Sequence, residues 1–334
     1  MPNNKAWVLS SRPIRGQAAG LHNFSLVESP APSIADGEVL VRNHFLSLDP
    51  YMRGRMNDGA SYATPQPIGE PMTGRTVGDV IASSNARFKI GDLVILTGGW
   101  QLLSKSDGRD MRHIDTSLAS IEAFLGPLGM PGATAWYGLN QIIAPKAGET
   151  IVVSAATGAV GTVVGQLAKR AGCRVVGVAG GPEKCAWAES ELGLDMCVDH
   201  RSPTFAQDFA AALPKGIDGL FENVGGAPFA QSIRHLNAFS RTAICGLVAS
   251  GYDGTPTPLP DMRLLLDKRA LMRGFIISDH LEHWPTALGE LGAHVKAGRL
   301  KWRQSVAQGL EAAPEAFLSM LKGGNFGKQL VKLV

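Results

Sequence analysis

The chain has 334 residues, of which 45% are hydrophobic and 18% charged, with a net charge of +3. That length is too great for one core and implies two domains. So mild a charge, with no basic run, excludes an electrostatic nucleic-acid footprint.

Met1–Leu9 (MPNNKAWVL) contains no apolar signal region, so a cytoplasmic protein is expected. The four cysteines, Cys173, Cys185, Cys197 and Cys245, form no C-x-x-C pair. They read as buried thiols of a reducing compartment rather than disulfides or metal ligands. Up to about residue 125, short apolar runs alternate with Gly, Pro and Asp turns. Val39–Asn43, Thr76–Ala82 and Leu93–Leu96 read as strands, bounded by Asp36-Gly37 and Gly91-Asp92. This pattern predicts a small β-barrel-like domain.

From about residue 128 strands and helices alternate, which predicts a parallel sheet with crossover helices. Ile151–Ser154 is short, apolar and β-branched, as a buried parallel strand should be. Val160, Val163, Val164, Leu167, Ala168 and Ala171 then form one helical stripe. Arg174–Ala179 is a second apolar strand and Met196–Asp199 a third. Asp218–Val224 and Thr242–Leu247 read as later strands, and Leu271–Ile277 as an apolar edge strand. Such an edge needs covering, and pairing with a second subunit would do it. Gln304–Val334 reads as a helix, the Gly323-Gly324 turn and a terminal strand, Gln329–Val334. The fold class expected is α/β, a doubly wound Rossmann sheet beside a β-barrel domain.

The turn Ala155-Ala156-Thr157-Gly158-Ala159-Val160-Gly161 carries an A-x-G-x-x-G variant of the dinucleotide fingerprint. Gly158 lets the backbone approach a pyrophosphate and Gly161 lets the helix lie close to the strand. The positive end of the helix then faces the anion. Two other readings compete. Glycines occur at strand–helix turns without any ligand, and residues 150–168 carry no charge, as a membrane span would. The preceding strand, the helical stripe and the second strand favour the dinucleotide.

An NAD site places Asp or Glu after the second strand to accept from the ribose 2′-OH. Here Gly180-Gly181-Pro182 is followed by Glu183 and Lys184, and Arg201 lies just past the third strand. A cation there suits a 2′-phosphate and favours NADP over NAD. The competing view of Lys184 is an ordinary solvated lysine, with Glu183 beside it.

Ordered blocks of sequence carry a wider resemblance. They are Leu48-Asp49-Pro50-Tyr51-Met52-Arg53-Gly54, Gly98-Gly99-Trp100-Gln101, Leu128–Ala135, Ala155–Gly161, Ala179–Cys185, Phe221–Gly226, Arg273–Asp279 and Asn325-Phe326-Gly327-Lys328. On them the chain resembles, nearly end to end, the zinc-free medium-chain dehydrogenase/reductases of the prostaglandin reductase, leukotriene B4 12-hydroxydehydrogenase and curcumin reductase (double-bond reductase) type. The resemblance implies a GroES-like catalytic domain from residues 1–127 and 299–334 around a Rossmann NADP-binding domain of residues 128–298. It implies a homodimer joined through the Rossmann sheet edge. It also implies NADPH-dependent reduction of the C=C bond of α,β-unsaturated ketones or aldehydes.

Zinc-dependent relatives carry a Gly-His-Glu segment, whereas this chain has Gly69-Glu70-Pro71 and no cysteine before Cys173. Catalytic zinc needs three ligands of the His, Cys or Glu type. No metal is therefore expected. NADPH is expected to give hydride to the β-carbon, with negative charge collecting on the carbonyl oxygen as an enolate. The enolate is held by a tyrosine and the cofactor ribose, and the α-carbon is then protonated. A preorganised donor at that oxygen is worth about 3–4 kcal/mol. Tyr252 and Tyr62 are the catalytic candidates among only four tyrosines. The family loop reads Ser-Gln-Tyr-Asn where this chain has Ala249-Ser250-Gly251-Tyr252-Asp253. Tyr51, Tyr62 and Trp100 match substrate-pocket positions. The tyrosines could equally be wall residues of mixed character.

The cofactor positions carried over are Met130 and Thr134 at the nicotinamide, Lys184 at the 2′-phosphate, and Thr157, Gly158, Ala159, Val160 and Gly180 in the glycine turns. His200 stands where the family has a tyrosine, and a protonated imidazole there would favour the phosphate. Asn223 and Asn325 match residues near the ribose and phosphates, Phe275, Ile276 and Ile277 match the carboxamide-binding strand, and Cys245, Gly246 and Leu247 are further cofactor positions. Two rivals remain: an NADPH quinone reductase of the same fold, and a non-catalytic NADPH-binding sensor.

Overall fold

A computed structural model describes residues 3–59, 61–249 and 261–334. The chain divides into two compact units, residues 1–125 with 304–334 and residues 126–251 with 256–303, apart from a short stretch outside the described residues.

The first unit is built on antiparallel strands. They are β1 Asn4–Leu9, β2 Phe24–Ser29, β3 Val39–Ser47, then helix α1 Tyr51–Arg55, and β4 Thr76–Ser83, β5 Leu93–Leu96, β6 Leu103–Ser106 and β7 Arg112–His113. β1 pairs with β2, and β3 is followed across its sheet by β4, β5 and β7, with β6 on β3. This is the expected barrel-like unit, of GroES-like type. Strand β3 runs four residues beyond the predicted Asn43, through His44-Phe45-Leu46-Ser47, because Leu46 and Ser47 are buried.

The second unit opens with α2 Met130–Tyr137, which continues into a π-helical segment Gly138–Ile143. Strands and helices then alternate: β8 Thr150–Ser154, α3 Gly161–Arg170, β9 Arg174–Ala179, α4 Pro182–Ser190, β10 Met196–Asp199, α5 Phe205–Ala212, β11 Ile217–Glu222, α6 Gly226–Ser232, β12 Leu236–Ile244, α7 Met262–Lys268, β13 Leu271–Gly274 and α8 Trp284–Lys296. The six strands pair parallel in the order β10-β9-β8-β11-β12-β13. This is a doubly wound Rossmann sheet. Its order reverses between β8 and β11, and a crevice at the carboxyl ends of such strands is where this fold takes ligands. All five residues of β8 are buried, and Val152, Val176, Val178 and Leu220 share a core with Phe209 and Phe229.

Several sequence boundaries need correction. Helix α3 is buried more broadly than its stripe: Thr162 and Gln166 are buried, while Ala171 is exposed. The cause is Gln166, whose amide bonds both the carbonyl and the N–H of Lys301 at 2.8 Å. β13 ends at Gly274, so Phe275, Ile276 and Ile277 lie beyond the strand rather than in it. β12 ends at Ile244, which leaves Cys245–Leu247 in the following loop.

The chain returns to the first unit through β14 Gln304–Gln308, α9 Ala313–Leu321 and β15 Lys328–Lys332. Strand β14, in a stretch read as helical, pairs parallel with β15, and β15 pairs antiparallel with β3. A buried ion pair ties the two chain ends of this unit. The Lys328 ammonium lies 2.6 Å from Asp49 Oδ1 and donates to the Leu48 carbonyl at 2.7 Å. Among the described residues no helix is long and apolar enough to cross a membrane.

Candidate active site

The glycine turn follows β8 directly. Ala155 takes a positive φ of 47°, and Gly158 N–H donates to the Ala155 carbonyl at 2.8 Å, closing the chain back on itself. A Cβ on Gly161 would stand 2.3 Å from the Ala155 oxygen and 2.9 Å from Ala156 Cα. Only glycine lets α3 start this close to the strand, so Thr157, Gly158, Ala159 and Val160 sit at the positive end of a ten-residue helix.

The neighbouring strand ends are cationic. Asp199, the last residue of β10, accepts from the amides of Gly181 at 2.8 Å and Arg201 at 2.9 Å. Burial opposes ionisation of Asp199, but these amides prevail and hold its carboxyl below the usual range. This clamp draws the β9–α4 turn to the chain after β10. A Cβ on Gly180 would lie 3.0 Å from both Arg201 Nε and His200 Nε2, so the two side chains close over the glycine. Lys184 is in the first turn of α4. Burial, then the Arg201 charge, pulls the Lys184 ammonium below its ordinary value. The same two causes, in the same order, lower His200, against a smaller opposing effect of Asp199. Cations crowded until they depress one another's protonation make an anion site.

At the switch point, Asn223 donates from Nδ2 to the Ser154 carbonyl at 2.8 Å, and its N–H donates to Ser154 Oγ at 2.7 Å. The amides of Cys245 and Gly246 donate to the Glu222 carbonyl at 2.8 and 3.2 Å, which ties the Cys245–Leu247 loop to the end of β11. Thr134 and Met130 stand one turn apart on α2, joined by a hydroxyl-to-carbonyl bond of 2.7 Å. Phe275 and Ile277 are buried, and Phe275 packs 5.4 Å from the Tyr137 ring. All these expected cofactor positions fall on the second unit.

The first unit carries the others. Tyr51 opens α1 half-buried, with the Arg55 guanidinium 5.4 Å above its ring. Burial first, then Asp49, pushes ionisation of its phenol well above the ordinary value, so it stays a donor. Tyr62 is 59% exposed. Asn325 donates to the Gly327 carbonyl at 2.6 Å within its own turn. Trp100 requires correction. It is 0% exposed, stacked on Phe24 at 5.5 Å and edge-on to Phe317 at 5.3 Å, so it is a core residue and not a pocket wall. Tyr252 lies outside the described residues. Sequence reading missed Glu222, although an acid following the apolar Leu220-Phe221 at the end of a buried strand was its visible signal. Among the described residues no group of three or more His, Cys, Asp or Glu is placed to hold a metal ion.

A doubly wound sheet, a glycine turn and a cationic end to the second and third strands define a dinucleotide-binding protein. Residues 5–114 match the family model described as N-terminal domain of oxidoreductase, and residues 159–293 the one described as zinc-binding dehydrogenase. The chain is 45% identical to the NADPH-dependent curcumin reductase of Escherichia coli (strain K12), covering 99% of this chain and 97% of that protein. It is 38% identical to the 2-alkenal reductase (NADP(+)-dependent) of Nicotiana tabacum, covering 88% and 87%. It is also similar to the solved structure of CurA from Vibrio vulnificus in complex with NADPH, with a TM-score of 0.93, 44% identity and 99% of each chain covered. The chain belongs to the medium-chain dehydrogenase/reductase family, among its double-bond reductases.

The dinucleotide implied by that family fits the residues present. The Gly161 cradle, which a Cβ would fill, suits a pyrophosphate at α3. Lys184, His200 and Arg201 suit a 2′-phosphate better than a ribose diol, which calls for an acidic acceptor.

Proposed function

We propose that this chain reduces the C=C bond of α,β-unsaturated ketones and aldehydes with NADPH. The convergence of Lys184, His200 and Arg201 at the β9–α4 turn around Gly180 carries this reading, together with the relatives' named NADPH-dependent reductions. Bound NADPH supplies the hydride for the β-carbon of the enone. Lys184, His200 and Arg201 hold the 2′-phosphate, and Thr157–Val160 with the N-terminus of α3 hold the pyrophosphate. Met130, Thr134, Asn223, Cys245–Leu247, Phe275–Ile277 and Asn325 are assigned to the remaining cofactor contacts.

The chain's task at the substrate is to present hydrogen-bond donors to the carbonyl oxygen, where negative charge collects. Tyr51 and Tyr62 are assigned to the substrate on the first unit, and Tyr252 to the enolate. A phenol held protonated by burial, as at Tyr51, can donate throughout the physiological range. Water or another weak acid then protonates the α-carbon. No zinc is assigned, because Gly69-Glu70-Pro71 supplies no histidine or cysteine where zinc-dependent relatives carry ligands. A homodimer through β13 is part of the same proposal. That strand ends the sheet, and Leu271 on it and Leu266 on α7 are exposed.

The test is NADPH oxidation with a panel of 3-alken-2-ones, curcumin-like dienones and a quinone, run in parallel with NADH. Turnover of the enones with NADPH alone is the expected result. Turnover of the quinone alone would refute the proposal in favour of a quinone reductase, and tight NADPH binding without turnover would favour a sensor.

A further inference from the structure

Glu222 is the least expected residue of the second unit. It ends β11 with a side chain that is 0% exposed, and among the described residues no cation pairs with it. One oxygen does all the bonding. Oε1 accepts the Ser154 hydroxyl at 3.0 Å and the amides of Val224 and Gly225 at 2.6 and 2.7 Å. Oε2 is buried without a hydrogen-bond partner among the described residues. The backbone carbonyl of the same residue accepts from Cys245 and Gly246. Ser154 in turn accepts the Asn223 amide on its hydroxyl and the Asn223 side chain on its carbonyl.

One residue therefore joins three chain segments. Through Ser154 it holds the end of β8, from which the glycine turn departs. Through Val224 and Gly225 it shapes the turn into α6 that carries Asn223. Through its own carbonyl it holds the Cys245–Gly246 loop after β12. These are the carboxyl ends at and beside the point where the strand order reverses.

We propose that Glu222 is the positioning residue of the dinucleotide floor: sealed from solvent, it fixes the ends of β8, β11 and β12 to one another, and cofactor affinity depends on that knot. The inference rests on the functional reading above. Its chemistry also has a direction. Burial raises the pKa of Glu222 above the usual carboxylate range, against the pull of its hydrogen-bond donors. A carboxyl with a raised folded-state value favours its neutral form in the fold. Its contribution to stability is complete below the ordinary value of about 4.3 and is lost as pH rises through the raised one. Ionisation would leave bare charge on Oε2 beneath a site that takes a polyanion.

The charged and titratable groups around it are few. β8, α6 and the Gly138–Ile143 segment carry none. On β12, Arg241 is engaged by Glu149 at 2.5 Å, and Asp218 on β11 bonds Thr150 and Asn237. Cys245 senses the carboxyl directly: burial, then the Glu222 charge, pushes its thiol up to about 12.

The experiment is fluorescence titration of the full chain with NADPH and with NADH from about pH 5.5 to 8.5, with melting curves alongside, for the unaltered protein, Glu222→Gln and Glu222→Ala. Glu222→Gln keeps the acceptor and is neutral at every pH. It should bind like the unaltered chain at the acid end and show a flatter loss of affinity toward alkaline pH. Glu222→Ala should weaken both cofactors about tenfold or more by leaving three donors unpaired. If that variant does not fold, Ser154→Ala, which removes one strut only, should weaken both cofactors equally. Pyridine-nucleotide affinities unchanged in Glu222→Ala, or in Ser154→Ala where it is needed, would overturn the inference alone, as would a Glu222→Gln profile parallel to that of the unaltered chain. No NADPH binding by the unaltered chain would overturn the functional reading and this inference with it.

Discussion

Replacing Lys184 by alanine isolates the contact that separates NADPH from NADH. The lysine is half-buried in the first turn of α4, and its ammonium is lowered by burial and by Arg201. A bound 2′-phosphate offsets the repulsion, since it adds a counter-charge beside Lys184 and Arg201, where Glu183 only partly opposes the like charge. A charge-assisted hydrogen bond of this kind contributes about 1.5–3 kcal/mol. At about 1.4 kcal/mol per decade, that is roughly 10- to 150-fold in Kd for NADPH. Arg201 and His200 remain in the variant, both at contact distance from Gly180, so the lower half of that range is expected. NADH lacks the phosphate and should bind the variant as it binds the unaltered chain. Fluorescence titration with both nucleotides at low and high salt gives the answer, and the NADPH difference should shrink as salt rises. Equal losses for NADH and NADPH would refute the reasoning, because they would place Lys184 in the fold rather than at the phosphate.

Three further outcomes are expected. Gly161→Ala forces a Cβ to within 2.3 Å of the Ala155 oxygen, so α3 must shift; about 1–3 kcal/mol of stability and much of the NADPH affinity should be lost, measured by thermal melting and titration. Lys328→Met strands the buried Asp49 carboxylate without its cation and should cost about 3–5 kcal/mol in urea unfolding, with partial recovery on adding Asp49→Asn. NADPH affinity should fall as pH rises through the titration of His200, because the protonated ring is the phosphate partner and burial with Arg201 lowers its value in the free protein. Titrations between about pH 6 and 8.5 should show a steeper slope in the unaltered chain than in His200→Phe, and identical profiles would remove the histidine from the site.

The cofactor half of the molecule was legible because its physics is local. Parallel strands buried on both faces read as apolar runs, and β9 and β10 begin and end where the sequence places them. The glycine turn was legible for the same reason: the close approach that requires Gly161 involves residues six positions away at most. β14 was not legible. Its segment QSVAQ is a half-buried edge strand whose partner is the last strand of the chain, and nothing within it outweighs the helical signals that follow. The cationic end needed both levels. Lys184 and Arg201 are visible in sequence, but their meeting over Gly180 depends on the Asp199 clamp between two separate turns.

Trp100 shows how a motif can misplace a side chain, and its correction is testable. Gly98-Gly99-Trp100-Gln101 matched a pocket position by order alone. The ring is in fact enclosed by Phe24 and Phe317, which arrive from β2 and α9, together with Met52 and Met72. Contacts that distant in the chain leave no periodic trace in a four-residue motif. The indole Nε1 is also buried without a hydrogen-bond partner, a cost that a substrate-facing tryptophan would not bear. Trp100→Phe removes that orphan donor while keeping an aromatic ring between two others. Its melting temperature should therefore stay near that of the unaltered chain, although the smaller ring leaves some space unfilled. Trp100→Ala opens a cavity in the same core and should cost about 3–5 kcal/mol. A core residue affects fold stability without discriminating among substrates, so KM ratios between small and bulky enones should be the same in Trp100→Phe as in the unaltered chain. A selective change in those ratios, with stability intact, would return Trp100 to the substrate pocket.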